Sequence, residues 1–285
     1  MIRRDLLRAA TGGFVVLVAR HVRAAVRDDA PAHLAALEKK HGGRLGVAIR
    51  DAGNGWTVSH RGGEPFLMCS TFKVVLVGAV LDKVDRHAES LDRRLVFARP
   101  DVLDWAPVTS RHVGAPGMTI GELCEASITL SDNTAANLLI ASLGGPAAVT
   151  TYARSLGDSA TLLDRIEPDL NPYATTTPLA MLGNLRALLL GDALAPASRA
   201  QLARWMLDCR TGLQALRAGL PKGWRVGDKT GSWDGKGSGA NNDIAIAWPP
   251  HRKPLLVTAY YENPNLDTNA RKAVLARVGH IVAAL

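Results

Sequence analysis

The stretch Cys69-Ser70-Thr71-Phe72-Lys73, followed by the apolar run Val74-Val75-Leu76-Val77-Gly78-Ala79-Val80-Leu81, decides how the rest of this chain is read. Residues three apart on a helix lie one above the other, so the Ser70 hydroxyl and the Lys73 amine share a face. A serine hydroxyl is a poor nucleophile until a base sits beside it, and a lysine one turn away can be that base. By itself the pattern is short, and a capping serine followed by a solvated lysine would look the same. What the Ser-x-x-Lys step means therefore depends on its surroundings.

Around it, helical spacing covers Thr71 to Val84, Ile120 to Ser131, Thr134 to Ser142, Ala147 to Leu156, Pro178 to Leu190 and Ala197 to Cys209. Strand patterns lie outside this helical middle. Leu45 to Arg50 and Trp56 to His60 read as a hairpin, preceded by a helix from Ala30 to Lys40 that ends at Gly42-Gly43. Arg225 to Thr230, Asp243 to Trp248 and Pro254 to Tyr261 follow it, and a helix from Thr268 to Leu285 closes the chain. The expected fold class is α/β in the sense of an α+β sandwich. Its five-stranded antiparallel sheet is assembled from both termini and packed on an inserted all-helical lobe. The sheet lobe should take residues 26–62 and 212–285, and the helical lobe 63–211.

Composition narrows the function. The 285 residues are 47% hydrophobic and 21% charged, ordinary for a globular chain with a substantial core. No stretch reaches the roughly 18–20 apolar residues of a membrane span. Arg3-Arg4-Asp5-Leu6-Leu7, the apolar Gly12 to Ala19 and the small Ala24-Ala25 resemble a twin-arginine signal peptide over residues 1–25, so export to the periplasm is expected. That leader holds five arginines against one aspartate. Of the net charge of +8, only +4 therefore remains on the rest, without the basic run of a nucleic-acid groove. The three cysteines and eight histidines show no ligand spacing, so neither a metal nor a cofactor is expected.

Two further motifs follow the first. Ser131-Asp132-Asn133 precedes a helix and is a good capping cluster. Lys229-Thr230-Gly231-Ser232 ends an apolar strand, where the glycine would let a substrate approach the backbone and the lysine and hydroxyls would hold an anion. Ser-x-x-Lys, Ser-Asp-Asn and Lys-Thr-Gly stand in that order, 61 and then 98 residues apart. Together they resemble the active-site serine penicillin-recognising enzymes. Glu167-Pro168-Asp169-Leu170-Asn171 is similar to the Glu-x-x-x-Asn segment of the class A β-lactamases, in which a carboxylate and an amide can share one water.

This resemblance implies a sequence of roles. Ser70 attacks the β-lactam carbonyl, with Lys73 or Glu167 removing its proton, and Ser131 passes a proton to the leaving nitrogen. The backbone N–H groups of Ser70 and Ser232 form the oxyanion hole. Lys229, Thr230 and Ser232 face the substrate carboxylate, Asn133 its acylamide, and Trp105 flanks the site. Glu167 and Asn171 position the water that frees the enzyme, and the protein is expected to act as a monomer on small-molecule β-lactams. A D,D-peptidase or a non-catalytic β-lactam sensor would share the three motifs but has no use for the Glu167–Asn171 pair.

Three departures from the family pattern stand out. Only Pro172 to Thr177 separates Asn171 from Pro178, so the loop is short and the aspartate that usually pairs with the residue matching Arg165 is missing. A different substrate profile, favouring bulky cephalosporins, is expected. The usual carboxylate-binding arginine is absent, with Arg271 or Lys272 as substitutes. Cys69 and Cys124 lack the partners seen in relatives, and any pairing among Cys69, Cys124 and Cys209 stays open.

Overall fold

The computed structural model describes residues 27–235 and 237–285; the leader expected over residues 1–25 lies outside them. Helix α1 covers residues 27–41 and stops at Gly42 and Gly43, whose φ angles of 67° and 74° no helix accommodates. Strands β1 (Arg44–Asp51), β2 (Thr57–His60) and the two-residue β3 (Phe66–Leu67) follow. Next come α2 (Phe72–Asp85), the short strands β4 (Arg94–Leu95) and β5 (Met118–Thr119), α3 (Ile120–Thr129), α4 (Asn133–Leu143) and α5 (Pro146–Ser155). After β6 (Thr175–Thr176) the chain forms α6 (Pro178–Leu189), α7 (Pro196–Leu207), a single turn α8 (Leu216–Gly219), β7 (Arg225–Gly235), β8 (Ser238–Trp248), β9 (Leu255–Glu262) and α9 (Thr268–Ala284).

The fold is α/β, with an antiparallel sheet in the order β2-β1-β9-β8-β7. Alternation along the strands gives the sheet two apolar faces. Leu45, Val47 and Ile49 join Val257, Tyr261 and the α9 residues Val274, Leu275 and Val278 in one core. Ala48, Ile244, Ile246, Leu256 and Tyr260 face the other core, which the helices fill. At its centre is α2, where Phe72 to Leu81 are all buried. A helix apolar on every side has no solvent face to offer and must be surrounded. No helix among the described residues is long and apolar enough to cross a membrane.

The structure departs from the sequence expectation in two places that matter for the site. The helix expected to reach Ser131 ends at Thr129, because Ser131 takes a φ of 59° and Asp132 caps α4 by accepting from Ala135 N at 2.9 Å. The strand expected to end at Thr230 continues to Gly235, its ladder with β8 running to the Gly235–Ser238 pair. Trp233 lies across Gly235, where only a residue without a side chain leaves room.

Candidate active site

Ser70 sits in a single 3₁₀ turn, Cys69–Thr71, that runs directly into α2. Cys69 holds a φ of 44°, a left-handed conformation that a side chain adopts only when its surroundings enforce it. Several bonds do so. The Met68 carbonyl accepts from Thr71 N at 3.1 Å, Thr71 Oγ1 at 2.7 Å and Asn242 Nδ2 at 3.1 Å, and Asn242 Nδ2 also reaches Leu67 O at 2.7 Å.

Gly231 completes the seat. A Cβ there would stand 2.8 Å from Met68 O, 2.9 Å from Cys69 Cβ and 3.1 Å from Ser70 N. The sequence reading assigned this glycine to substrate approach; in the structure it admits the protein's own nucleophile turn. It thereby brings the Ser70 amide beside the strand that carries Ser232.

Lys73 is fully buried, and its ammonium donates to Ser131 O at 2.8 Å, Ser131 Oγ at 3.3 Å and Asn133 Oδ1 at 2.6 Å. Lys229, also fully buried, donates to Ser131 Oγ at 2.9 Å and Thr230 O at 2.8 Å. One hydroxyl oxygen thus accepts from two ammonium groups, one on α2 and one on β7. Burial pushes the Lys73 pKa well below the ordinary lysine range and the neighbouring Lys229 cation pushes it further, while Glu167 and Asp132 oppose both. Burial likewise brings Lys229 down to about 8, against the pull of Cys209, Asp228 and Asp243 beneath it.

Asp132 has a different task from its neighbours in the Ser-Asp-Asn turn. Besides capping α4, it accepts from Val108 N and Thr109 N at 2.9 Å each and from Thr109 Oγ1 at 2.8 Å. It thereby fixes the loop that carries Trp105. Trp105 is 56% exposed and anchors its indole N–H on Leu130 O at 3.0 Å, and its carbonyl accepts from Asn133 N at 2.9 Å. The capping reading of this motif therefore holds for Asp132, while Ser131 and Asn133 line the cleft, where the chemical reading needs them.

Glu167 is partly buried on the loop between α5 and β6. Asn137 on α4 grips its main chain from both sides, Nδ2 donating to Glu167 O at 2.9 Å and Oδ1 accepting from Glu167 N at 3.3 Å. Burial raises the Glu167 pKa, and the Lys73 ammonium lowers it in part. Asn171 Oδ1 is buried with no protein donor, and both residues line the same cleft.

That cleft, about 690 Å³, lies between the helices and the sheet and is walled by Ser70, Ser131, Asn133, Glu167, Thr230 and Ser232, with Trp105 and Trp233 also on its lining. All ten residues singled out from the sequence meet here, Lys73 and Lys229 from beneath. Of the two candidate cations, Arg271 is consumed elsewhere. It is 1% exposed and donates to Asn241 Oδ1 at 2.7 Å, to Thr268 Oγ1 at 3.2 Å and to Asp234. Lys272 is the one that lines the cleft.

The sequence reading missed Asn242, Asn137 and Thr211, whose Oγ1 lies 2.5 Å from Thr230 Oγ1. For Asn242 a signal existed: Asn241-Asn242-Asp243 are polar residues inside an otherwise apolar strand. The three cysteines are buried and unbonded, each with its thiol pKa raised chiefly by burial.

Comparison with known proteins agrees with this geometry. A family model described as the beta-lactamase enzyme family matches residues 30–284. The chain is 46% identical to Beta-lactamase OXY-2 of Klebsiella oxytoca over 252 residues, 86% of each protein. It is 48% identical to Beta-lactamase L2 of Stenotrophomonas maltophilia over 254 residues, 87% of this chain and 82% of the relative. Among solved structures, the class A beta-lactamase of the last common ancestor of Gram-negative bacteria superposes with a TM-score of 0.86 at 54% identity, covering 90% of this chain and 98% of that one. The chain belongs to the beta-lactamase enzyme family, as a class A serine β-lactamase.

Proposed function

We propose that this protein hydrolyses β-lactam antibiotics through an acyl-enzyme on Ser70, and so confers resistance to them. The observation that carries the reading is the Ser131 hydroxyl held between Lys73 and Lys229 above a cleft that also contains Glu167. Ser70 Oγ attacks the lactam carbonyl. Lys73, its charge disfavoured by burial, is suited to take the serine proton, and Ser131 to pass a proton to the leaving nitrogen as the C–N bond breaks. The N–H groups of Ser70 and Ser232 stabilise the oxyanion.

Lys229, Thr230, Ser232 and Lys272 hold the substrate carboxylate, Asn133 its acylamide, and Trp105 packs on its side chain. Glu167 takes a proton from a water that the unpartnered Asn171 Oδ1 helps to orient, and that water attacks the acyl carbonyl to release the product and restore Ser70. The reaction takes place at the seam of a sheet lobe (26–62 and 212–285) and a helical lobe (63–211), in a monomer. The short loop, with Ile166 and Tyr173 exposed on it, supports a profile that favours bulky cephalosporins, and activity confined to penicillins would contradict that. The leader at 1–25 directs export to the periplasm; secretion unaffected by replacing Arg3 and Arg4 with lysine would contradict the twin-arginine route.

Purified protein with a chromogenic cephalosporin separates this reading from its rivals. Multiple turnover is expected, whereas a D,D-peptidase gives one stoichiometric burst and a sensor gives no turnover. Glu167→Ala should then trap the acyl adduct, visible by mass spectrometry. Undiminished turnover in that variant would remove Glu167 from its role.

A further inference from the structure

The loop bearing Glu167 is closed at its neck by a backbone bridge between Leu162 and Thr175, with N–O distances of 2.9 and 3.2 Å. Next to the neck, Ala174 O accepts from Met68 N at 2.9 Å, so the loop is hydrogen-bonded to the segment that leads into Ser70. Leu170 is buried and Asn137 holds the main chain of Glu167. These contacts fix the base and the middle of the loop. Its two outer arms are joined differently. The Arg165 guanidinium lies 3.7 Å from the centroid of the Tyr173 ring, while its nearest carboxylate, the adjacent Asp164, is 3.8 Å away and half-exposed. Arg165 stands two residues before Glu167, and Tyr173 two residues after Asn171. The stack therefore spans the two residues that hold the water.

We infer that Tyr173 is a positioning residue for deacylation: by stacking on Arg165 it ties the two arms of the loop together and holds Glu167 over the acyl carbonyl. The absent aspartate would have held the arginine from the far side of a longer loop. Here the loop is short enough for an aromatic face to do so from within it. A cation over a tyrosine face at an exposed site is worth a factor of about two to five in an equilibrium, which sets the size of the effect. The inference rests on Glu167 acting as the base for deacylation.

The test measures acylation and decay of the acyl-enzyme separately, by rapid quench and intact mass, in Tyr173→Ala, Tyr173→Phe, Arg165→Ala and the double variant Tyr173→Ala/Arg165→Ala. Tyr173→Ala is expected to slow deacylation about two- to fivefold with acylation unchanged. With a substrate limited by deacylation, kcat and KM then fall together and kcat/KM holds. Tyr173→Phe keeps the ring face and should match the unaltered enzyme. The double variant should be no slower than either single one, because both remove the same contact.

A fall in kcat at constant KM would indicate loss of folded enzyme, and a rise in KM with slower acylation would indicate a substrate contact; either overturns the inference. So does a Tyr173→Phe variant as slow as Tyr173→Ala. Glu167→Ala measured alongside separates the two levels. If it traps no adduct, the reading of Glu167 fails; if it does while Tyr173→Ala deacylates at the normal rate, the inference alone fails.

Discussion

Lys229 Nζ and Ser131 Oγ are 2.9 Å apart, a hydrogen bond that joins the edge strand β7 to the turn before α4 across 98 residues of sequence. Lys73 approaches the same oxygen at 3.3 Å from the other side. Two buried cations sharing one hydroxyl is an arrangement that stability alone does not favour. Desolvation makes each ammonium costly, and their repulsion adds to that. In the proposed mechanism its value is chemical: it keeps a hydroxyl between a lysine suited to exchange protons and the cleft.

Ser131→Ala should therefore cost far more in rate than in stability. Loss of a positioned proton relay lowers kcat/KM by about 10²–10⁴-fold. The melting temperature should hold or rise, since Lys73 keeps Ser131 O and Asn133 Oδ1 and Lys229 keeps Thr230 O. Stopped-flow acylation and a thermal melt on the same sample check both halves, and a loss under tenfold would contradict the relay.

The pH dependence follows from Lys229. With its pKa lowered to about 8 by burial, it carries its charge below that pH and loses it as pH rises through it. For substrates with a free carboxylate, kcat/KM should fall above about pH 8, and a bound carboxylate should move the same limb of kcat upward by favouring the charged form. A carboxyl-methylated cephalosporin should lack the limb. Lys272→Ala should raise KM about fivefold for the free acid and leave the ester unchanged, a loss of about 1 kcal/mol for one partly exposed charge contact.

Gly231 and Asn242 hold the nucleophile turn, one by leaving room and one by bonding. Gly231→Ala must displace Met68 O, Cys69 Cβ or Ser70 N, at about 1–3 kcal/mol of strain. Asn242→Ala leaves the Leu67 carbonyl without its 2.7 Å donor, at a similar cost. Both should slow acylation more than deacylation, because the Ser70 amide and hydroxyl ride on that turn. Affinity for a boronate that mimics the tetrahedral adduct should fall in step with acylation; an unchanged boronate affinity would separate the turn from the oxyanion site.

The existence and order of the main elements could be read from the sequence because they rest on local composition and spacing, while ends such as those of α3 and β7 could not. The run Val74 to Leu81 lies in a stretch of helical spacing, and the strand patterns near both termini pointed to a sheet assembled from the two ends. The two-residue strands β3 and β6 carry no period and were invisible, although they join the nucleophile segment to the Glu167 loop. Gly235 and Ser238 lie beyond the expected strand ends and proved to be paired, with Gly235 leaving the room that the Trp233 ring takes up.

For chemistry, the sequence by itself determined the candidates: Ser70, Lys73, Ser131, Glu167 and Lys229, in the order and spacing of the family motifs. Side-chain type is written residue by residue, so the groups able to attack, relay and hydrolyse can be named without coordinates. Only the tertiary structure decided how those groups stand. It gave Gly231 to the nucleophile turn rather than to substrate, buried Arg271 among its partners while leaving Lys272 on the cleft, and stacked Arg165 on Tyr173 where a carboxylate was missing. Each of these depends on which distant atoms compete for the same space or the same hydrogen bond, and that competition exists only once the chain is folded.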